Sequence, residues 1–146
     1  MAKRRASISL QRDAALVARR VILRNEKLVY VLVANKKLDY TNLRSRVAYI
    51  GTTKKGGARI AQSVAARSET ILRLHGVTAF EARTISCRPR QHVKMWCKLE
   101  RALLLSFLEI YGEVPRCNVQ GKNYTERDEF DYFTKSRLKR VLEDLA

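Results

Sequence analysis

The stretch Leu28-Val-Tyr-Val-Leu-Val-Ala34 is continuously apolar and dense in β-branched residues. It is shorter than an ordinary buried helix and has the length of a strand. Side chains alternate across a strand, so an apolar residue at every position demands burial on both faces. The run reads as a central strand, and a chain containing one must cover its sheet on both sides. It is also the longest apolar run in the 146 residues, well short of the roughly 20 that cross a bilayer.

The remaining pattern supplies the cover. Ser7 or Ser9 caps an expected helix running to about Arg24, with Leu10, Ala14, Val17 and Val21 on one stripe. Asn35 to Ser45 reads as a polar loop, and Val47-Ala-Tyr-Ile50 as a second strand ended by Gly51. A turn from Thr52 to Gly57 leads into a helix from Ala58 to His75, stopped by Gly76. Val77 to Cys87 is expected to form a third strand, and Gln91 to Tyr111 a long helix closed by Gly112. After a loop from Pro115 to Asn123, Thr125-x-x-Asp128 resembles a capping box opening a last helix to Leu145. The order α-β-β-α-β-α-α implies an α+β fold, a small three-stranded sheet flanked by helices. No repeat or linker interrupts it. The chain reads as one domain, with a basic tail and helix over 1–25, a core over 26–119 and a C-terminal helix over 120–146.

The charge is unevenly spread. Lys and Arg number 30 against 14 Asp and Glu, a net +16. Residues 1–100 hold 22 basic and 6 acidic side chains, whereas residues 101–146 hold 8 of each. An excess confined to one part of the chain points to a polyanion, of which nucleic acid is the commonest. The basic N-terminus is interrupted by Gln11, Arg12 and Asp13 where a signal peptide needs an apolar stretch. Three cysteines without CxxC spacing disfavour a disulfide framework or a cysteine zinc site. A cytoplasmic protein without membrane contact is the expectation.

Glu100 stands out chemically. Val93, Cys97, Leu104, Phe107 and Tyr111 recur at helical spacing, and Glu100 falls within that stripe. A carboxylate there needs compensation. Either an arginine supplies it, or a hard metal ion that prefers carboxylate oxygen. Tyr30 and Tyr49 lie within the two apolar strands, where tyrosines ordinarily pack as core with the hydroxyl at the rim. Arg59 opens the helix after Gly56 and Gly57. A cation there opposes the helix dipole and is explained by an anion nearby. Lys54 and Lys55 in the preceding turn are placed to approach a phosphate backbone, and Arg19 and Arg20 add to the basic surface.

The order Leu28-Val-Tyr30, Tyr49-Ile-Gly51, Arg59, Glu100 and Pro115-x-x-Asn118 resembles the GIY-YIG nuclease superfamily. The second triplet is intact, and the first keeps only its tyrosine. Arg59 follows Tyr49 by ten residues, the usual family spacing. Where many members carry His or Tyr one helical turn after the arginine, this chain has Ser63. The resemblance, spanning residues 28–119, implies a single Mg²⁺ or Mn²⁺ held by Glu100. It also implies Tyr30 as the general base with Tyr49 in support, Arg59 neutralising phosphate charge, and Asn118 bracing the site. The implied activity is hydrolysis of phosphodiester bonds in DNA, most naturally double-stranded, by a restriction-type or stand-alone homing-like endonuclease. No separate recognition domain is evident, so specificity falls to core loops, the basic N-terminus or a homodimer. The competing reading is a non-catalytic nucleic-acid-binding module, such as a ribosome-associated basic protein. It explains the charge but not the acid on a core stripe.

Overall fold

The computed structural model describes residues 5–14 and 27–146. Within it the continuous apolar run is the middle of a sheet. Strand β1 (Leu28–Asp39) pairs antiparallel with β2 (Arg44–Thr53) on one side and β3 (Phe80–Ile85) on the other, giving the order β2-β1-β3. Val29, Val31 and Leu32 are fully shielded from solvent, as two-sided burial requires. The sheet is flanked by four helices: α1 (Gly57–Leu72), α2 (Met95–Tyr111), the single turn α3 (Glu129–Tyr132) and α4 (Lys135–Leu145). The fold is α+β, a three-stranded antiparallel sheet with helices packed on it.

Several boundaries differ from the sequence reading, each for a local reason. Asn35 to Ser45 is not a loop. Pairing with β3 stops at Ala34, and the β1–β2 register is irregular between Val33 and Leu38, so Asn35, Lys36 and Lys37 are exposed before Leu38, buried, and Asp39 pair with β2 again. Only Tyr40 to Leu43 form the turn, closed by the Tyr40 N–H to the Leu43 carbonyl at 3.1 Å. Gly51 does not end β2 but pairs with Tyr30 inside it. Helix α2 begins at Met95 rather than Gln91, because Arg90 and Val93 form an isolated bridge first. It does end at Gly112, which takes the left-handed conformation at φ 82°. Helix α1 stops at Leu72, ahead of Gly76, and β3 is shorter at both ends than Val77 to Cys87. Residues 5–14, including Ser7 and Ser9, form no helix, and Ile8 and Leu10 stand exposed. The rest of the expected N-terminal helix, with Arg19 and Arg20, lies outside the described residues.

The C-terminal helix is interrupted, and the expected capping box does not form. Asp128 makes no cap hydrogen bond, because its carboxylate takes the Lys98 ammonium at 2.7 Å. Thr125 offers its carbonyl to Arg101 Nη2 at 2.9 Å. The backbone is extended at Phe133, and α4 starts afresh behind Thr134, burying Leu138 and Leu142. The centre of this region is an ion pair. Arg101 Nε meets Glu129 Oε1 at 2.6 Å, and the Glu129 side chain is 1 % exposed. The Arg127 N–H donates to the other oxygen at 2.8 Å. Burial opposes ionisation of Glu129, but the Arg101 guanidinium and these backbone donors outweigh it and hold its carboxyl below the usual range.

Glu129→Gln leaves the Arg101 charge without its partner and should lower stability by about 3 kcal/mol at pH 7. A carboxyl with a depressed folded-state value stabilises the fold above its unfolded value, and that stability is lost as pH falls through the folded value. Urea melts of parent and variant should therefore differ most at neutral pH and converge in acid. A pH-independent gap would assign the loss to packing instead.

Candidate active site

The site is assembled at the β2 edge of the sheet. Tyr30 faces Gly51 across the β1–β2 ladder, and Tyr49 lies two residues from Gly51 on β2, so the two rings share one face. Their centroids are 5.8 Å apart at 38°. The glycine makes this possible. A Cβ on Gly51 would stand 2.6 Å from Tyr49 Cε1 and 2.9 Å from Tyr30 Cζ and Oη, closer than carbon atoms approach. The Tyr-Ile-Gly triplet thus clears room for its own tyrosine and for the one on the neighbouring strand.

Helix α1 covers these rings with polar atoms. The Tyr30 hydroxyl hydrogen-bonds the Ser63 hydroxyl, which is buried. Arg67, one turn further, donates from Nη1 to Ser63 Oγ at 3.3 Å and from Nη2 to Tyr49 Oη at 2.9 Å. Its guanidinium carbon also lies 3.9 Å from the Tyr49 ring centroid. Serine, small and hydroxylic, thus bridges the Tyr30 hydroxyl to an arginine.

The segment Pro115–Gln120 seals the outer edge of β2. Asn118 accepts from the Ile50 N–H and donates to the Ile50 carbonyl, both at 2.9 Å. The Cys117 N–H reaches the Ala48 carbonyl at 2.9 Å. One buried side-chain amide therefore satisfies both backbone groups that an edge residue presents. Gln120 then turns around the edge, its Nε2 lying 3.4 Å from both Tyr49 Oη and the Ile50 carbonyl.

Glu100 meets this cluster from α2. Its carboxyl is held above the ordinary range, mainly by burial, against the opposing hydrogen bonds of Thr52 and Gln120. The arginine next to it in sequence lowers it only at a distance and as the smallest of these influences, because the Arg101 guanidinium pairs with Glu129. Among the described residues Glu100 makes no ion pair. Gln120 joins the acid to Tyr49, so hydrogen bonds connect Glu100, Gln120, Tyr49, Arg67, Ser63 and Tyr30 in one chain.

Other sequence candidates lie on the periphery. Arg59 is exposed, and among the described residues its side chain hydrogen-bonds Gln62 alone, at 3.4 Å. Lys54 and Lys55 are exposed in the turn after β2. Lys54 and Lys94 lie close enough to the Cys97 thiol, a turn before Glu100, to offset part of the rise that burial and Glu100 impose on it. Cations near the site do not depress Tyr30. Burial raises its hydroxyl pKa above 10, with Arg67 a minor opposing influence.

The donor set around Glu100 suits a hard cation. A carboxylate and the Thr52 hydroxyl are hard oxygen donors, and Gln120 braces the carboxylate by a hydrogen bond. No group of three His, Cys, Asp or Glu stands together among the described residues. An all-protein cage is therefore absent there, whereas Mg²⁺ is commonly held by one carboxylate with waters and substrate phosphate. Arg67, Thr52 and Gln120 were not singled out in the sequence. Arg67 was detectable as the next four-residue step after Arg59 and Ser63, but Thr52 and Gln120 carry no local signal. No family model matches the chain, and neither the curated proteins nor the solved structures searched contain a match. Among the described residues no helix is long and apolar enough to cross a membrane.

With its folded-state value raised, an ionised Glu100 destabilises the fold. That penalty is absent below the unfolded carboxylate value of about 4.3 and complete above the folded one. Glu100→Gln removes it. Thermal melts without metal should place the variant at or above the parent at pH 7, with the two converging toward pH 4. A variant melting well below the parent at pH 7 would make Glu100 a structural acid.

Proposed function

We propose that this chain is a divalent-metal-dependent DNA endonuclease of the GIY-YIG type. The observation that carries the reading is a half-buried carboxylate, Glu100, with no ion pair among the described residues and linked by hydrogen bonds to two tyrosines on adjacent strands. A structural acid withdrawn from solvent ordinarily has a cationic partner, as the more deeply buried Glu129 has in Arg101. The β2-β1-β3 sheet, with the two tyrosines on its central and edge strands, supports the same reading. So does the +16 charge.

Glu100 is the residue to hold Mg²⁺ or Mn²⁺, with Thr52 and Gln120 positioned to orient its oxygens. When bound, the cation supplies charge that polarises the phosphate and eases departure of the leaving oxygen. Tyr30 is the proposed base for the attacking water once its own proton has left to solvent, and Ser63 holds its hydroxyl oxygen in place. Tyr30 is protonated in the free protein at neutral pH, because burial raises it. Its activation therefore depends on the positive charge that the metal would bring. Tyr49, fixed by Arg67 and Gln120, supports the water or the phosphate. Asn118 keeps β2 in register beneath them. Lys54, Lys55 and Arg59, all exposed, meet the DNA backbone beyond the reacting bond. A homodimer and a cytoplasmic location complete the proposal.

Plasmid nicking tests it. The parent should nick supercoiled DNA with Mg²⁺ or Mn²⁺ and not with EDTA. Glu100→Gln should abolish nicking with plasmid affinity intact. Tyr30→Phe, which deletes one oxygen, should slow it by about two to four orders of magnitude. A parent that binds DNA but nicks none with either metal would leave the non-catalytic binding module as the function.

The charge makes a separate prediction. If six phosphates are neutralised, log affinity should fall with log salt at a slope of about −5. Filter binding of a short duplex from 50 to 300 mM KCl, on the order of the range where such slopes are read, measures it. A slope near zero would remove nucleic acid as the partner.

A further inference from the structure

Arg59, Ser63 and Arg67 follow one another at four-residue spacing on α1, and the tyrosine pair meets the last two. Eight residues separate the arginines, about 12 Å along the helix axis. Arg67 is half-buried. It spends one N–H on Ser63 and one on Tyr49, out of the five that a guanidinium carries. Its Nε–H has no partner among the described residues. No buried side-chain nitrogen there lacks a partner, so Nε is reachable from solvent. No carboxylate lies within ion-pair distance of Arg67 among those residues.

A half-buried cation without a counter-charge is costly unless an anion visits it. Arg67 is also held in place. The Tyr49 ring lies 3.9 Å beneath the guanidinium carbon, and two hydroxyl oxygens fix the plane of the fork. A preset fork with unused donors matches the paired oxygens of a phosphate, which a lysine does not. Arg59, exposed on the first turns of the helix, has no such constraint.

We propose that Arg67 receives a non-bridging oxygen of a phosphodiester at this site and that Arg59 contacts the backbone farther along. The identity of the anion rests on the nuclease reading above. The site itself rests on the geometry of Arg67. By this assignment Arg67 is a catalytic residue, and it also positions Tyr49 Oη beside the same phosphate.

The test begins with the metal-free parent. In EDTA, ¹⁵N-labelled protein is titrated with thymidylyl-thymidine, which carries a single phosphodiester, and with thymidine, which carries none. The Arg67 Nε–Hε resonance, identified by its loss in Arg67→Lys, should shift saturably with the first and not with the second. An unmoved resonance, or equal shifts with both, overturns the proposal. This readout stands whether or not the protein cleaves DNA, so failure of the nuclease reading is seen separately, as a parent that nicks no plasmid. If the parent nicks, Arg67→Met should slow the reaction by about two to three orders of magnitude at saturating DNA, with plasmid affinity within about twofold. Arg67→Lys should recover little, and Arg73→Met, which removes an exposed arginine paired with Glu69 on the same helix, should match the parent. A greater loss from Arg59→Met than from Arg67→Met, or full activity in Arg67→Lys, would return the phosphate to Arg59 or to charge alone.

Discussion

Burial of β1 on both faces is the constraint from which the other features follow. Val29, Val31 and Leu32 have no exposed surface, and an interior strand must also find partners for backbone groups on both edges. Strand β2 meets one edge through a four-residue turn, and β3 returns to the other after α1. Alternation then decides which side chains face which helix. Tyr30 and Tyr49 point to α1 and its Ser63 and Arg67, while Thr52, one residue past Gly51, meets Glu100 of α2. A one-residue slip of β2 would exchange these faces and separate the tyrosines.

The polar cluster therefore crosses from one face of the sheet to the other, and it does so around β2, an edge strand. Asn118 occupies the outward backbone groups of Ile50 in the manner of a further strand. This leaves Gln120 poised at the rim between Tyr49 and Glu100. Opposite charges sit apart in the cluster, Glu100 on α2 at one end and Arg67 on α1 beyond Tyr49. They are joined through neutral hydroxyls and an amide rather than in contact. A direct salt bridge would cancel both. Their separation leaves each without a direct counter-charge among the described residues, which is the polarity that the proposed metal and phosphodiester would meet.

The C-terminal part secures α2 without taking part in that cluster. Lys98 and Arg101 project from the same helix as Glu100, yet they turn to Asp128 and Glu129. Tyr124 lies under the Arg101 guanidinium at 4.2 Å. These contacts fix the helix beneath α3 and α4 and direct its cations into pairs with Asp128 and Glu129 rather than with Glu100. The local balance of 8 basic and 8 acidic residues beyond residue 100 is thus partly spent on internal pairing. The excess upstream remains for a partner.

The sequence by itself determined the class of fold and the nature of its centre. A continuous apolar run can only be a covered strand, Gly112 can close α2 in a left-handed conformation without strain, and an acid within an apolar stripe must be compensated. These are local properties, set by side-chain chemistry and periodicity. It misjudged the hairpin at Asn35–Ser45, because polar residues on a strand paired on one side look like loop. It likewise read Thr125–Asp128 as a cap, because nothing local reveals that Lys98 and Arg101, 30 and 24 residues upstream of Asp128 and Thr125, claim those oxygens. Only the tertiary structure decided how Glu100 is compensated. It gave Arg101 to Glu129 and brought Thr52 and Gln120 to the carboxylate, from positions 48 residues before and 20 after. Only the tertiary structure placed Arg67 on Tyr49, leaving Arg59 at the rim. Pairing of that kind depends on which strand register and which helix face meet in space. Spacing along the chain carries no record of that once the partners lie on different elements.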